Sequence, residues 1–243
     1  MVNKIRNLEE YNQKFSGRVG VAIGSGFSIH FQDLSSLSEH VTIAVNSGFC
    51  AFPQADFFLS DDWSISRWNF FGDQLKKAKA TVLLYEDKLR QYNLFGDRTV
   101  WFRHRKGYHI SSIYEHTNYD NFLLQCRSSL ATAIGVLYVM GCSKVVVLGL
   151  DCRRYETGER YFWQFSDQPK NRIIPTRNDG IPNDNFRKCR HQGIKTDSDL
   201  KEIKKYWESQ TSDMRKKIKI YNASQHTALD IFPKMSLEDA LEK

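Results

Sequence analysis

The chain has 243 residues, 41% of them hydrophobic and 13% aromatic, and it carries a formal net charge of +7. This length and apolar content exclude a disordered or fibrous chain and favour a globular domain with a full core. No stretch approaches the ~20 apolar residues of a membrane helix, and the first residues lack the apolar run of a secretory signal, so we expect a cytoplasmic protein without a membrane span. The basic excess favours polyanionic partners such as nucleotides or nucleic acid.

Three apolar segments lie in the first sixty residues, and each is followed by glycine or polar residues. They predict strands at 19–23, 41–45 and 56–59. Nearly continuous apolar strands are typical of a parallel sheet that is buried on both faces. Ligands of such sheets bind beyond the carboxyl ends of the strands. The sequence places four polar side chains there, which we expect to bind a ligand: Ser25, Asn46, Ser60 and Asp61.

The middle of the chain continues this alternation. Further strands are predicted at 81–85 and 99–102 with a helix at 75–79 between the third and fourth strands, and residues 107–125 are predicted as a loop. The clearest helical signal covers 128–141, where serines begin the helix, glycine ends it and the apolar residues on all sides indicate burial.

The last hundred residues begin with a predicted strand at 144–151, and its terminal Asp151 returns to the ligand edge of the sheet. Residues 152–196 are aromatic and polar with almost no apolar period, and so long an irregular segment predicts a lid or an acceptor-binding insertion. A long helix from 197 to about 217, a strand at 219–222 and a helix at 236–241 follow. We therefore expect one α/β, Rossmann-like domain over 1–243 with a mostly parallel sheet.

A glycine turn, Gly24-Ser25-Gly26-Phe27-Ser28, follows the first predicted strand directly. Glycine brings backbone amides close to a ligand, and the N-terminus of the next helix supplies a partial positive charge. The turn therefore predicts a phosphate site for a nucleotide. Gly-Ser-Gly after a strand is also found in ordinary turns between strand and helix, so both interpretations stay open at this point.

Two basic clusters have few acidic residues near them in the sequence. A nucleotide-binding enzyme gathers Arg and Lys around phosphates, and a polyanionic acceptor would also be bound by such clusters. We predict that they bind an acceptor or another polyanion. Their residues are Arg103, Arg105, Lys106, Arg187, Lys188 and Arg190.

Four motifs occur in a characteristic order: Ile-Gly-Ser-Gly-Phe-Ser at 23–28, Val-Asn at 45–46, the serine-rich helix and strand at 128–151, and Tyr-Asn-Ala-Ser…Ala-Leu-Asp-Ile-Phe-Pro-Lys-Met-Ser-Leu-Glu-Asp-Ala-Leu at 221–241. This series resembles the motility-accessory-factor and 6-hydroxymethylpterin-pyrophosphokinase-like group of Rossmann domains. It is also similar to the bacterial sialyltransferases of glycosyltransferase family 42. The resemblance covers most of the chain and implies a GT-A-like fold.

The resemblance also implies roles for individual residues. In the sialyltransferases the first turn reads Gly-Asn-Gly-Pro-Ser and contacts the donor nucleotide, whereas this chain has Ser25 and Phe27 at the second and fourth positions. That difference leaves a CMP-linked and a UDP-linked donor open. Donor contacts are implied at Gly24, Ser25, Gly26, Ser28, Asn46, Ser128, Ser129 and Asp151. The implied catalytic residues are Tyr155 and Tyr161, which would hold the leaving phosphate, and His191 as general base.

These residue types suit sugar transfer on chemical grounds. A neutral imidazole near pH 7 can take the proton of an acceptor hydroxyl, and tyrosine hydroxyls can stabilise a leaving phosphate without a metal. We therefore predict a metal-independent, nucleotide-sugar-dependent glycosyltransferase. Its acceptor stays open between a hydroxymethylated base of phage-type DNA, a glycan and a protein.

Two other functions are alternatives. One is a magnesium-dependent pyrophosphokinase acting on a small alcohol such as a pterin, for which one aspartate and the substrate phosphates suffice to bind the metal. The other is a nucleotide-binding module without catalysis.

Overall fold

The computed structural model describes residues 6–89, 95–105, 122–124, 128–178 and 218–242. These residues contain eight β-strands. They are β1 (Val19–Ile23), β2 (Val41–Val45), β3 (Phe57–Ser60), β4 (Thr81–Tyr85), β5 (Thr99–Arg105), β6 (Phe122–Leu124), β7 (Lys144–Leu148) and β8 (Lys219–Asn222). The α-helices are α1 (Asn69–Gly72), α2 (Gln74–Lys77), α3 (Glu86–Leu89), α4 (Ser129–Val139) and α5 (Leu237–Glu242).

Short 3-10 helices connect many of these elements. They span Leu8–Tyr11, Phe27–Phe31, Ser35–Glu39, Asn46–Cys50, Trp63–Arg67, Gly96–Arg98 and Phe162–Gln164. Among the described residues, no helix combines the length and the apolar character needed to cross a membrane.

The sheet is buried on both faces. Successive side chains of a strand point to opposite sides, so each strand contributes to two apolar layers. In β1, Ala22 packs on the side of α4 with Ile134 and Leu137. Its neighbours Val21 and Ile23 pack on the other side, in a cluster that the short helices and α5 cover. This arrangement explains why the strands are apolar along their whole length rather than at alternate residues.

The strands lie in the order β6-β5-β4-β3-β2-β1-β7-β8, and each neighbouring pair is parallel. The chain runs outward from β1 to β6 and then returns to add β7 on the other side of β1. The connections that leave β1 and β7 therefore diverge, which creates a crevice at the carboxyl edge of the sheet between these two strands. Open α/β sheets bind ligands at this topological switch point.

The structure confirms the α/β fold and most predicted strands. The bounds at 19–23, 41–45, 81–85 and 219–222 agree to the residue, and α4 is buried as its sequence indicates. Ser236 caps the last helix, because its Oγ accepts a hydrogen bond from the amide of Asp239 at 3.1 Å.

One prediction about local structure is wrong. The short strand β6 lies inside the stretch predicted as loop, where it pairs with the extended end of β5 at Arg103 to Arg105. The segment has only three apolar residues, Phe-Leu-Leu, and its pairing with β5 makes it a strand. The helix that follows the glycine turn is a 3-10 helix of five residues, Phe27–Phe31. Residues 179–196 of the predicted lid and the long helix predicted at 197–217 lie outside the described residues.

Candidate functional site

A cleft of about 220 Å³ opens at the switch point. Its walls come from the turn after β1 (24–26), the end of β2 (45–46), the start of α4 (128–130), the segment after β7 (149–153), and residues 160–161. Backbone amides, hydroxyl groups and one carboxylate line most of this surface. The predicted parallel sheet thus brings its strand ends together around one cavity.

The glycine turn is bonded to the end of β7. The amides of Gly24 and Gly26 donate to the carbonyl oxygens of 148–149 at 2.8 and 3.0 Å, and the amide of Ser28 donates to Asp151 Oδ2 at 2.9 Å. These three amides already have protein acceptors, so they do not form the phosphate nest that the sequence suggests. Contact between the turn and a nucleotide-sugar donor stays a prediction. Its physical basis is that glycine lets a ligand approach the backbone closely.

Glycine is required in this turn because two strand ends approach closely. A Cβ on Gly26 would lie 2.5 Å from the carbonyl oxygen of Gly149, and a Cβ on Gly24 would lie 2.8 Å from the same atom. Gly149 itself has a φ of +66°, in the left-handed region that favours glycine. Larger residues at 24 or 26 would push β1 and β7 apart and change the cleft.

Asp151 is the one carboxylate among the residues that line the cleft, and only 3% of its surface is exposed. Its Oδ2 accepts the hydrogen bond from Ser28, whereas its Oδ1 is buried and has no hydrogen-bond partner among the described residues. Burial raises the pKa of Asp151 from 3.8 to about 6, although the Ser28 hydrogen bond and the charges of His226 and Arg153 lower it. Buried acceptors are usually hydrogen-bonded in proteins, so Oδ1 is available to a hydrogen-bond donor on a ligand.

A hydrogen-bonded chain begins at Asn46 and Ser129, which line the cleft, and ends at Asp61, which does not. Asn46 Nδ2 donates to Ser129 Oγ at 3.3 Å, and Ser129 Oγ in turn donates to the Asp61 carboxylate, which also accepts from Thr132 Oγ1 at 3.2 Å. Asn46 has a φ of +50°, and its Oδ1 is buried without a hydrogen-bond partner in the described part of the chain. Strain and an unused acceptor in one residue point to a functional position.

The other residues predicted to bind the nucleotide-sugar donor differ in exposure. Ser128 lines the cleft as the residue before α4, and within the described residues its side chain makes no capping hydrogen bond. Ser60 is fully buried, and its Oγ accepts from the amide of Asp62 at 3.2 Å. Ser60 therefore stabilises the end of β3.

The predicted catalytic tyrosines lie in different surroundings. Tyr161 lines the cleft, forms an isolated β-bridge with Gly26, and stacks on Trp163 with 5.0 Å between ring centroids. Tyr155 is not among the residues that line the cleft, and its ring packs instead 5.3 Å from Phe27 and from Phe31. The general base proposed at His191 lies outside the described residues.

The basic clusters are only partly described. Arg103 forms an ion pair with Glu86, with 2.7 Å between Nε and Oε2. Arg103 has a compensating acid in the fold, because α3 brings Glu86 beside β5 from 17 residues earlier in the sequence. Arg105 belongs to β5, but its side chain is not described. The remaining residues of the clusters lie outside the described residues: Lys106, Arg187, Lys188 and Arg190.

Two charged cleft residues were missed by the sequence analysis. Arg153 and Arg160 both line the cavity, one just after Asp151 and the other just before Tyr161. Their closeness in sequence to two predicted site residues was the available signal. Among the described residues, no group of three or more His, Cys, Asp or Glu side chains is arranged to hold a metal ion.

Comparison with known proteins identifies the fold. No protein-family model and no curated protein sequence matches the chain. Among solved structures, the MAf glycosyltransferase from Magnetospirillum magneticum AMB-1 is similar, with a TM-score of 0.51 and 14% sequence identity. The match covers 95% of this chain and 37% of that protein, so this chain spans little more than a third of its length. At this identity the similarity shows a shared glycosyltransferase-like fold, and membership of the sialyltransferase family stays a prediction.

Replacing Asp151 with Asn tests the environment of the buried carboxyl. A carboxyl with a raised pKa keeps its proton in the folded protein while the unfolded chain has lost it, so wild-type stability falls as the pH rises from about 4 through 6. Asn does not ionise. We expect the free energy of unfolding of Asp151→Asn, relative to wild type, to rise by about 2 to 3 kcal/mol between about pH 4 and pH 7.

Denaturant titrations at several pH values measure this difference. Asp73→Asn, which removes an exposed carboxyl outside the cleft, is the control for loss of one negative charge. A difference between Asp151→Asn and wild type that does not change with pH would show that Asp151 ionises normally.

Proposed function

We propose that this protein is a nucleotide-sugar-dependent glycosyltransferase whose donor binds in the cleft between the ends of β1 and β7. The observation that supports this most is the polar cleft at the switch point of the sheet, with unused buried acceptors on Asp151 and Asn46. The fold shared with a MAf glycosyltransferase supports the same proposal. Acceptors of this kind suit the hydroxyl and amino groups of a nucleoside.

In the proposed reaction, the acceptor oxygen forms a bond to the anomeric carbon of the sugar. The bond from that carbon to the phosphate oxygen breaks, and the leaving phosphate keeps the electron pair. His191 takes the proton of the acceptor hydroxyl. Tyr161, at the edge of the cleft, donates a hydrogen bond to the leaving phosphate, so that no metal is required. Tyr155 is assigned the same role, with less support because of its packing against Phe27 and Phe31.

The donor and the catalytic base are tested together. The first step measures the melting temperature with CMP, UDP, GDP and ATP, and the second measures sugar transfer from the matching nucleotide sugar in the presence of EDTA. A general base contributes about a hundredfold or more to the rate, so His191→Ala should lower kcat by at least about that factor while donor binding stays unchanged. His40→Ala, at the amino edge of the sheet before β2, is the matched control.

Three results would contradict this proposal in different ways. Stabilisation by none of the nucleotides would remove the nucleotide donor. Near-normal transfer by His191→Ala would remove the assigned base. Pyrophosphoryl transfer from ATP to a pterin alcohol, dependent on magnesium, would favour the kinase alternative instead.

The acceptor is proposed to be a hydroxyl group on a base of phage-type DNA, because the chain carries a net charge of +7 and the aromatic ring of Tyr161 lines the cleft. Enzymes that modify a base bind it unpaired and stack it on aromatic rings. We expect binding to single-stranded and duplex DNA that weakens steeply as the salt concentration rises. Fluorescence anisotropy at 50 to 200 mM NaCl measures this, and weak binding without a salt slope would favour a glycan or protein acceptor.

A further inference from the structure

The donor proposed above carries phosphate, and most obvious phosphate ligands in the cleft are already used. The amides of Gly24, Gly26 and Ser28 donate to β7 and to Asp151. The start of α4 lies beside the Asp61 carboxylate, which accepts from two of its hydroxyl groups. The positive charge that binds the phosphate must therefore come from other residues that line the cavity.

The floor of the cleft is unsuitable for an anion. Asp151 is buried, and its Oδ1 and the Oδ1 of Asn46 are acceptors without a partner among the described residues. Phosphate oxygens are also acceptors, so they would be repelled from both atoms. Hydroxyl or amino groups of a nucleoside would satisfy them, which directs the nucleoside inward and the phosphate outward.

Two arginines lie at the outer part of the same cleft. Arg153 is exposed and Arg160 is half-buried, in contrast to the buried Asp151. Among the described residues, the one hydrogen bond of the Arg153 guanidinium is from Nε to the carbonyl oxygen of Arg154 at 3.3 Å. The Arg160 guanidinium lies 5.5 Å from the ring centroid of Tyr161.

The segment that carries these arginines is fixed to the glycine turn at both ends. At its start, Asp151 accepts the hydrogen bond from Ser28. At its end, Tyr161 forms the β-bridge with Gly26, and the next amide donates to the carbonyl oxygen of Ser25 at 3.2 Å. Both guanidinium groups are therefore attached to a loop that is held over the cavity.

Backbone contacts also fix the position of Arg160. Gln164 Oε1 accepts hydrogen bonds from the amides of Arg160 and Tyr161 at 2.7 and 3.0 Å. A turn in the preceding segment is closed by the amide of Tyr155, which donates to the carbonyl oxygen of Glu159 at 2.8 Å. A preorganised site of this kind loses little conformational entropy on binding.

We propose that Arg153 and Arg160 form a phosphate clamp at the rim of the cleft, which binds the phosphate of the donor while the nucleoside occupies the floor. This proposal rests on the proposed function, because it takes the bound anion to be the phosphate of a nucleotide. Guanidinium groups suit this role because they donate two parallel hydrogen bonds to phosphate oxygens and remain charged at all physiological pH values. The clamp would also stabilise the charge that develops on the leaving phosphate.

Calorimetric titrations of wild type, Arg153→Ala and Arg160→Ala test the clamp. The probes are pyrophosphate, the nucleosides cytidine, uridine, guanosine and adenosine, and the corresponding diphosphates. Each variant should bind pyrophosphate and the preferred diphosphate at least about tenfold more weakly than wild type, with nucleoside binding unchanged within about twofold. Arg154→Ala removes the same charge from the same loop outside the cleft lining and is the matched control.

The outcomes separate the clamp from the proposed function. Pyrophosphate binding that is lost in both variants supports the clamp even if no nucleotide binds, in which case the nucleotide-donor proposal alone fails. Diphosphate binding that both variants retain overturns the clamp and leaves the proposed function in place. The clamp would also be overturned if Arg153→Ala and Arg160→Ala lost equal affinity for nucleoside and diphosphate, or if Arg154→Ala lost as much affinity as they do. Either result would indicate a general effect on the loop. Failure of wild type to bind any probe overturns both.

Discussion

The close contact between the ends of β1 and β7 is the constraint on which the site depends. Gly24 and Gly26 lie against Gly149 at distances that a side chain would not allow, and the amide of Ser28 is bonded to Asp151. This contact exists because β7 is added beside β1 after the chain has built the other half of the sheet. It joins residues 123 positions apart and sets the width of the cleft.

Two consequences for the chemistry follow from this contact. The carboxylate of Asp151 is buried against the turn, which raises its pKa to about 6. The segment 151–161 starts and ends on the turn, so its arginines lie at the rim. Asn46 and Ser129, which also line the cleft, supply further polar groups. The cleft therefore combines buried acceptors on Asp151 and Asn46 with the more exposed charges of Arg153 and Arg160, a combination that suits the proposed nucleotide.

Much of the fold could be predicted from the sequence because burial on both faces leaves a local signature. Strands such as 41–45 and the helix α4 are apolar throughout, and their bounds follow from that composition. The role of the glycine turn could not be predicted in the same way. Its amides are bonded to β7, and that pairing depends on the strand order, which no local pattern contains. The ion pair between Glu86 and Arg103 likewise forms only when α3 is placed beside β5.

The sequence predicts the location of the site but not the position of each side chain in it. Strand-end residues such as Asn46 and Asp151 do line one cleft, because parallel strands end at the same edge. Tyr155 was expected beside Tyr161, but the turn at 155–159 directs its ring to Phe27 and Phe31. Arg153 and Arg160 lie in a segment without periodicity, so their convergence on the cleft depends on tertiary contacts.

The most direct test of the central claim is a crystal structure of the protein with the nucleotide that stabilises it most. The account predicts density in the cleft between the ends of β1 and β7, with the nucleoside near Asp151 and Asn46 and the phosphate toward Arg153 and Arg160. A nucleotide bound at the other edge of the sheet, or with its phosphate on the amides of the glycine turn, would contradict it.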